Sequence, residues 1–443
     1  MRVLLFLCVS VALLYMVTSD HKEGHHDNDK HNHTEHEHHN GHKAHDDKHD
    51  HKHDHHEKGK HHHHHHHNES SESHKIAQSN YGFAYKLFRQ VAADHPSENI
   101  FFSPVSISTA FAMLSLGARS QTHHQIIEGL NFNISEISEQ EIHAGFQNLL
   151  HILNEPDSEL QLNSGNALFI SKNWKLLQKF LEDVKKFYEA EAFSTDFHNE
   201  EEAKSQINSY VEKKTNGKIV DLLSSVDPEA AVVLINYIYF RGKWQNPFQE
   251  ELTKEGDFHV DENTVVKVPM MFRNNYYRVV HDRDLGCHVV EIPYKGNATA
   301  WFILPEEGKF KAVEEALGKP TSKKWLMNFS DWLINLWIPK FSISTTLDLV
   351  PELKKLGVTD LFSDEADLSG ITGESTLKVS KAVHRAELSV DERGTEAAGA
   401  TVVEAVPMML PPSIKFNRPF FLTIYHIPTR SLSFLGKIVN PLK

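Results

Sequence analysis

The sequence predicts an α+β fold built around a large, mixed β-sheet. Apolar residues recur at helical spacing in the first half of the folded region, within 83–91, 107–114 and 146–153. Runs rich in β-branched and aromatic residues, typical of strands, dominate the second half. Because helices cluster early and strands late, a sheet covered by helices is favoured over a regular βαβ arrangement. The predicted strands are 232–240, 300–304, 333–338, 420–425 and 434–439.

Residues 1–19 are predicted to be a secretory signal peptide. Arg2 precedes an almost wholly apolar run over residues 3–17, and the small residues Thr18 and Ser19 follow it. A run of about 15 apolar residues is short for a membrane span, and no later run is long enough. We therefore expect a secreted, extracellular protein with no membrane partner.

Residues 20–75 are predicted to form a disordered tail. They hold 23 of the 34 histidines and contain no Ile, Leu, Val or Phe, so they cannot bury a core. Alternating histidines place imidazoles on one side of an extended chain, and imidazole suits Ni, Zn and Cu. The alternative is a solvated polar tether that responds only to pH. The predicted metal ligands are His31, His33, His36, His38, His49, His51, His53, His55, His61, His63, His65 and His67.

Residues 76–443 are long and apolar enough to form a sizeable folded domain. Once the signal peptide is removed, Cys287 is the only cysteine, so no intramolecular disulfide is expected. The net charge of −14 argues against nucleic-acid binding.

Five Asn-x-Ser/Thr sequons mark expected surface glycosylation sites, at Asn32, Asn68, Asn133, Asn297 and Asn328.

Residues 392–412 combine the features of a loop and of a strand. Small residues fill the first half, β-branched residues follow at 401–403, and three prolines confine the last part. With a period of two, Glu396 and Glu404 share one face and the other face carries no charge. This pattern favours a loop that can also become a central strand. A flexible Ala/Gly-rich linker is the alternative.

Motifs along the folded domain resemble those of the serpin family, in particular serpins of the α1-antitrypsin type. The resemblance covers residues 76–443 and includes the segment 392–412, which is similar to the hinge and reactive-centre loop of an inhibitory serpin. The other motifs that carry it lie at 99–108, 236–244, 257–260, 268–271, 366–370, 381–384, 416–420 and 436–441.

The resemblance implies the serpin fold: a large mixed sheet, smaller sheets, about nine helices and an exposed reactive-centre loop at about 392–412. It also implies inhibition by suicide-substrate trapping, in which a serine protease cuts the loop and the cut loop inserts into the main sheet. Matched residue by residue, the scissile bond is Met408–Met409, and the apolar Met408 suits elastase-like or chymotrypsin-like targets. The matched hinge residues are Gly394, Thr395, Glu396, Ala397, Ala398, Gly399 and Ala400.

The resemblance assigns further roles within the domain. A polar cluster matches the group that governs opening of the main sheet, and Trp244 matches the position where the loop first enters it. Ordinary core residues with satisfied hydrogen bonds are the alternative. The helix around 140–153 lacks a basic face, so no heparin site is predicted. The protein is expected to be a monomer. The matched cluster is Ser103, Ser106, Asn236 and His384.

No enzyme is predicted, because the sequence contains no His-Glu-x-x-His, Gly-x-Ser-x-Gly or Walker motif. No cofactor is required, although the tail offers sites for divalent metal.

The main alternative is a serpin that no longer inhibits and serves as a metal-binding, carrier or storage glycoprotein. The intact small-residue hinge favours inhibition. The tail is not part of the α1-antitrypsin pattern, and it resembles the His-rich segment of a nickel-binding amphibian serpin.

Overall fold

The computed structural model describes residues 69–155, 159–393 and 410–443. The predicted signal peptide and residues 20–68 of the predicted tail lie outside these ranges. The helices in the described ranges are α1 (Glu69–Asp94), α2 (Pro104–Ser115), α3 (Ser120–Gly129), α4 (Glu139–Leu153), α5 (Gln178–Tyr188), α6 (Glu200–Lys214), α7 (Phe310–Ala316), α8 (Lys319–Asn328), α9 (Leu349–Lys355) and α10 (Ser369–Thr372), with 3-10 turns at Glu250–Leu252 and Asp360–Phe362.

The strands fall into two sheets. They are β1 (Ile100–Phe102), β2 (Gln161–Ser171), β3 (Glu191–Thr195), β4 (Val232–Arg241), β5 (Lys254–Asp261), β6 (Thr264–Asp282), β7 (Cys287–Pro293), β8 (Ala298–Pro305), β9 (Ser330–Pro339), β10 (Phe341–Asp348), β11 (Val379–Val390), β12 (Ser413–Lys415), β13 (Phe420–His426) and β14 (Ser431–Ile438).

Among the described residues, a five-stranded sheet has the order β10-β11-β4-β2-β3. The other sheet has nine strands in the order β1-β14-β13-β8-β7-β6-β9-β12, with β5 paired to β6. The first sheet is mixed: β4 pairs in parallel with β11 and antiparallel with β2. The predicted α+β class with a large mixed sheet is therefore confirmed. The described ranges hold ten α-helices rather than about nine.

Helix α2 lies beneath the five-stranded sheet and connects it to the main core. All twelve of its residues are buried. Ser103 caps its N-terminus by accepting a hydrogen bond from the Ser106 N–H (3.3 Å), and Pro104 occupies the first turn, where its missing N–H costs nothing. A helix buried all round is held by its surroundings, which makes α2 a rigid support for polar groups aimed at the sheet.

The predicted start of the folded domain at residue 76 is corrected to Glu69, where α1 begins. The predicted tail reached residue 75 because residues 69–75 are polar. Nevertheless Ser73 is fully buried, and its N–H donates to Asn148 Oδ1 (3.2 Å). His74 Nε2 lies 2.9 Å from the Pro428 carbonyl oxygen. These partners lie far away in sequence, so the local composition does not reveal them.

Candidate functional site

The β4–β11 seam, formed by Val232–Arg241 and Val379–Val390, is the parallel pairing at the centre of the five-stranded sheet. Both strands are paired on both sides, β4 also with β2 and β11 also with β10. In the register of the seam, His384 is the Cα partner of Asn236. Two polar residues therefore face each other across a seam that is otherwise mostly apolar.

A buried hydrogen-bond network surrounds this pair and joins the seam to α2. Asn236 Nδ2 donates to Ser106 Oγ (2.8 Å) and to Asn166 Oδ1 (2.6 Å). Asn236 Oδ1 accepts from His384 Nδ1, and the Ser103 N–H donates to His384 Nε2 (3.1 Å). The structure thus brings together all four residues of the predicted polar cluster and adds Asn166 from β2. Separating β4 from β11 would break the His384–Asn236 bond, so the network is placed to resist opening of the seam.

His384 is neutral in this network, because one ring nitrogen donates a hydrogen bond and the other accepts one. The ring is fully buried, and burial lowers its pKa from 6.5 to about 3. The unfolded chain takes up a proton as the pH falls below 6.5, whereas the folded protein stays unprotonated down to about 3. Folding stability from this residue is therefore complete above pH 6.5 and is progressively lost below it.

We expect the free energy of unfolding to depend less steeply on pH in a His384→Gln variant. Between pH 6.5 and 3, the free energy of unfolding of the wild type should fall by roughly 1 kcal/mol more per pH unit than that of a variant that cannot titrate at this position. Urea unfolding at several pH values measures both slopes. The exposed residue His151 provides the matched control, since His151→Gln makes the same substitution outside the buried network. Parallel curves for wild type and His384→Gln would contradict the lowered pKa of the buried His384 ring.

Trp244 lies apart from the polar cluster. It follows the end of β4 by three residues, and it contacts the residues that follow the end of β11. Its Nε1 donates to the Asp391 carbonyl oxygen (2.8 Å), and its backbone N–H donates to the Arg393 carbonyl oxygen (3.0 Å). The indole is buried and stacks on Tyr294 with 4.1 Å between ring centroids. Arg241 Nη2 also bonds Asp391 Oδ2 (2.7 Å). The segment that follows β11 is therefore held at its base.

Glu392 anchors the same segment from the other side. Its carboxylate accepts from Thr253 Oγ1 (2.7 Å) and pairs with Lys340 Nζ (2.8 Å). Although burial raises the pKa of Glu392, the Lys340 ammonium and the Thr253 hydroxyl together hold it below its ordinary value. Glu392 is 3% exposed, so the carboxylate depends on these two partners.

The hinge residues 394–400 and the reactive bond Met408–Met409 lie outside the described residues. The chain is described again from Leu410, whose side chain is 94% exposed, and continues into β12, which pairs in parallel with β9. The segment 394–409 therefore connects the centre of the five-stranded sheet to the edge of the nine-stranded one. The described chain stops at Arg393, whose carbonyl oxygen accepts from the Trp244 N–H, and resumes at the exposed Leu410.

Some of the remaining predicted site residues are described, and others lie outside the described ranges. Asn133, Asn297 and Asn328 are exposed, as a glycan acceptor must be, whereas Asn32, Asn68 and the twelve predicted metal ligands lie outside the described residues. Helix α4, which contains residues 140–153, has Glu139 and Glu141 in its first turn and His151 in its last. Within the described residues, no helix is both long and apolar enough to cross a membrane.

Comparison with known protein families identifies the class of protein to which this fold and this site belong. A family model described as "Serpin (serine protease inhibitor)" matches residues 78–441. The chain therefore belongs to the serpin family.

Several characterised proteins are similar to this chain. It is 54% identical to alpha-1-antiproteinase 2 of Equus caballus over 368 residues, which are 83% of this chain and 87% of that protein. It is 53% identical to alpha-1-antitrypsin of Sus scrofa, with the same coverage of both chains. Among solved structures, human thyroxine-binding globulin in complex with thyroxine has a TM-score of 0.79 at 45% identity, covering 84% of this chain and all of that one. Glycosylated human kallistatin has a TM-score of 0.78 at 47% identity, again covering 84% and all.

Proposed function

We propose that the protein is a secreted serine-protease inhibitor that traps its target by inserting the cut loop between β4 and β11. The observation that carries the proposal is the parallel seam itself. A segment that leaves the end of β11 and turns back runs antiparallel to β11, and because β4 is parallel to β11, also antiparallel to β4. One inserted strand would replace one parallel pairing by two antiparallel ones, which are slightly more stable per residue.

The residues of the loop suit this insertion. Its uncharged face would lie against the buried side of the sheet, and its small hinge residues would enter first. The scissile bond of the proposal is Met408–Met409, so the apolar Met408 would enter the primary pocket of an elastase-like or chymotrypsin-like enzyme. The apolar run at residues 3–17 supports secretion.

Mixing the protein with elastase, chymotrypsin, trypsin and thrombin tests the proposal. Complexes that resist SDS are expected with elastase or chymotrypsin, together with a single cut after Met408. Cleavage without any stable complex would favour the alternative, a serpin that acts as a carrier, storage or metal-binding glycoprotein. The likeness to human thyroxine-binding globulin in complex with thyroxine keeps a carrier role in view.

The His-rich tail adds a second element to the proposal, the capture of Ni, Zn or Cu by several similar sites. Residues 20–75 carry 8 Lys and 13 Asp or Glu, so the charge is −5 with neutral histidine and reaches +18 when all 23 histidines are protonated. Protons and metal ions compete for the same imidazole nitrogens. A flexible chain rich in imidazole needs no preformed cavity to bind several ions.

We expect several weakly distinguishable metal sites on the tail at neutral pH, lost as the pH falls below about 6. Calorimetric titration with nickel, comparing the full chain with a form that starts at Glu69, measures them; this start keeps α1 intact. Both forms are expected to trap elastase equally. Equal nickel binding by the two forms would eliminate the tail as the site, and weaker trapping by the shorter form would give the tail a role in inhibition.

A further inference from the structure

Two histidines face each other at the end of the β6–β7 hairpin. His281 on β6 is the Cα partner of His288 on β7, and their rings stack with 4.2 Å between centroids and 8° between planes. A carboxylate completes the group: Glu306 Oε1 lies 3.0 Å from His281 Nε2. Each of the three residues offers one ligand atom, and these three atoms all lie within 4.8 Å of one another.

The backbone holds the three residues in place. Glu306 follows directly after β8, which pairs with β7. The Glu306 N–H donates to the Gly286 carbonyl oxygen (2.8 Å), and the Gly286 N–H donates to the Asp282 carbonyl oxygen (2.8 Å). Gly286 has a φ of 74°, and an added Cβ would come within 3.3 Å of Glu306 Oε2. The turn of the hairpin thereby fixes the backbone of Glu306 beside the two strands that carry the rings.

We infer that His281, His288 and Glu306 form a divalent transition-metal site in the folded domain, separate from the His-rich tail and from the β4–β11 seam. Two imidazoles and one carboxylate are a donor set that zinc accepts, with water filling the fourth position. Ligand atoms on one tetrahedral zinc ion lie about 3.3 Å apart, given bonds of about 2.0–2.1 Å. The 3.0 Å separation of His281 Nε2 and Glu306 Oε1 is close to that value. The other separations are at most 4.8 Å, and the two stacked rings would turn toward the ion so that their in-plane lone pairs converge on it.

The surroundings suit a small cation that arrives from solvent. The His281 side chain is 28% exposed and that of Glu306 is 44% exposed, so both are reachable. A metal ion there would bind the neutral imidazoles of His281 and His288 and the ionised carboxylate of Glu306. Arg418 lies close enough to interact with His288, and Glu306 and Glu307 counter its charge. Cys287, next to His288, belongs to the main hydrophobic core and so points to the opposite side of the strand.

A metal ion at this site would join β6, β7 and the residue that follows β8, which come together only in the folded protein. It would therefore raise the stability of the full chain, because an ion that binds the folded state alone shifts the folding equilibrium. Ions held by the tail bind whether or not the domain is folded, so they should leave the unfolding transition nearly unchanged. Thermal unfolding of the full chain thus separates this site from the tail without a truncation.

The experiment measures the unfolding temperature of the full chain at increasing concentrations of zinc chloride. The variants His281→Asn, His288→Asn and Glu306→Gln each remove one ligand. The matched controls are Glu307→Gln, an exposed neighbouring carboxylate, and His259→Asn, an exposed histidine on β5. Because the Glu306 side chain is partly exposed, Glu306→Gln should fold like the wild type, which its zinc-free unfolding temperature checks.

Zinc at about 100 times its dissociation constant is expected to raise the unfolding temperature of the wild type and both controls by about 3 °C. The three ligand variants should need at least about 10-fold more zinc for the same rise. The inference is overturned if zinc leaves the wild type unshifted, or if Glu306→Gln responds to zinc as Glu307→Gln does.

Discussion

Replacing Thr395 with arginine is expected to convert the proposed inhibitor of elastase-like enzymes into a substrate. Thr395 is the first inserting residue on the uncharged face of the proposed strand. Insertion would carry the guanidinium into the sheet without a partner, which costs several kcal/mol. A barrier about 3 kcal/mol higher slows insertion about 100-fold, so the acyl-enzyme is hydrolysed before the protease is distorted.

The stoichiometry of inhibition and the yield of SDS-resistant complex measure this effect. The control is Glu396→Arg, which adds the same side chain one residue later, on the face that already carries a carboxylate. Cleavage after Met408 should persist in both variants, and only Thr395→Arg should lose the complex. A second reading comes from heat resistance: the cut wild type should unfold at a higher temperature than the uncut form, and cut Thr395→Arg should not. Stable complexes with Thr395→Arg would refute loop insertion with this face buried.

The strands buried on both faces are the part of the fold that the sequence predicts best. The predicted strand 232–240 corresponds to β4, Val232–Arg241, and the predicted strand 420–425 corresponds to β13, Phe420–His426. Continuous apolar runs mark such strands because every side chain is covered. Strand β6, Thr264–Asp282, has no such run, because it is only partly buried. It pairs with β5, β7 and β9 along different parts of its length.

The contacts of the candidate site could be predicted only where a family motif marks the residues. His384 and Asn236 are 148 residues apart, and their contact depends on the register of the β4–β11 seam. Periodicity within one strand does not define the register between two strands. For the same reason Asn166, the partner of Asn236 on β2, and the pairing of His281 with His288 are visible only in the structure.

The base of the loop provides the second large effect, since Glu392→Lys is expected to destabilise the protein by about 3 kcal/mol or more. The new ammonium would face Lys340 in a position where the native residue is 3% exposed. It would also leave the Thr253 hydroxyl without its acceptor. Because the Phe248 N–H donates to the Glu392 carbonyl oxygen and Trp244 binds the carbonyl oxygens on either side, a displaced residue 392 would disturb the whole base of the loop.

The charge of the pair, rather than the size of the side chain, is tested by reversing it. The double variant Glu392→Lys with Lys340→Glu restores opposite charges and is expected to recover at least half of the lost stability. An exposed ion pair serves as the matched control: Asp364 pairs with Lys378 at 2.7 Å, and Asp364→Lys should leave the urea unfolding midpoint nearly unchanged. Urea unfolding midpoints measure all four proteins. If the double variant is as unstable as Glu392→Lys, the cost arises from packing at residue 392, and the Lys340 pair does not hold the base of the loop.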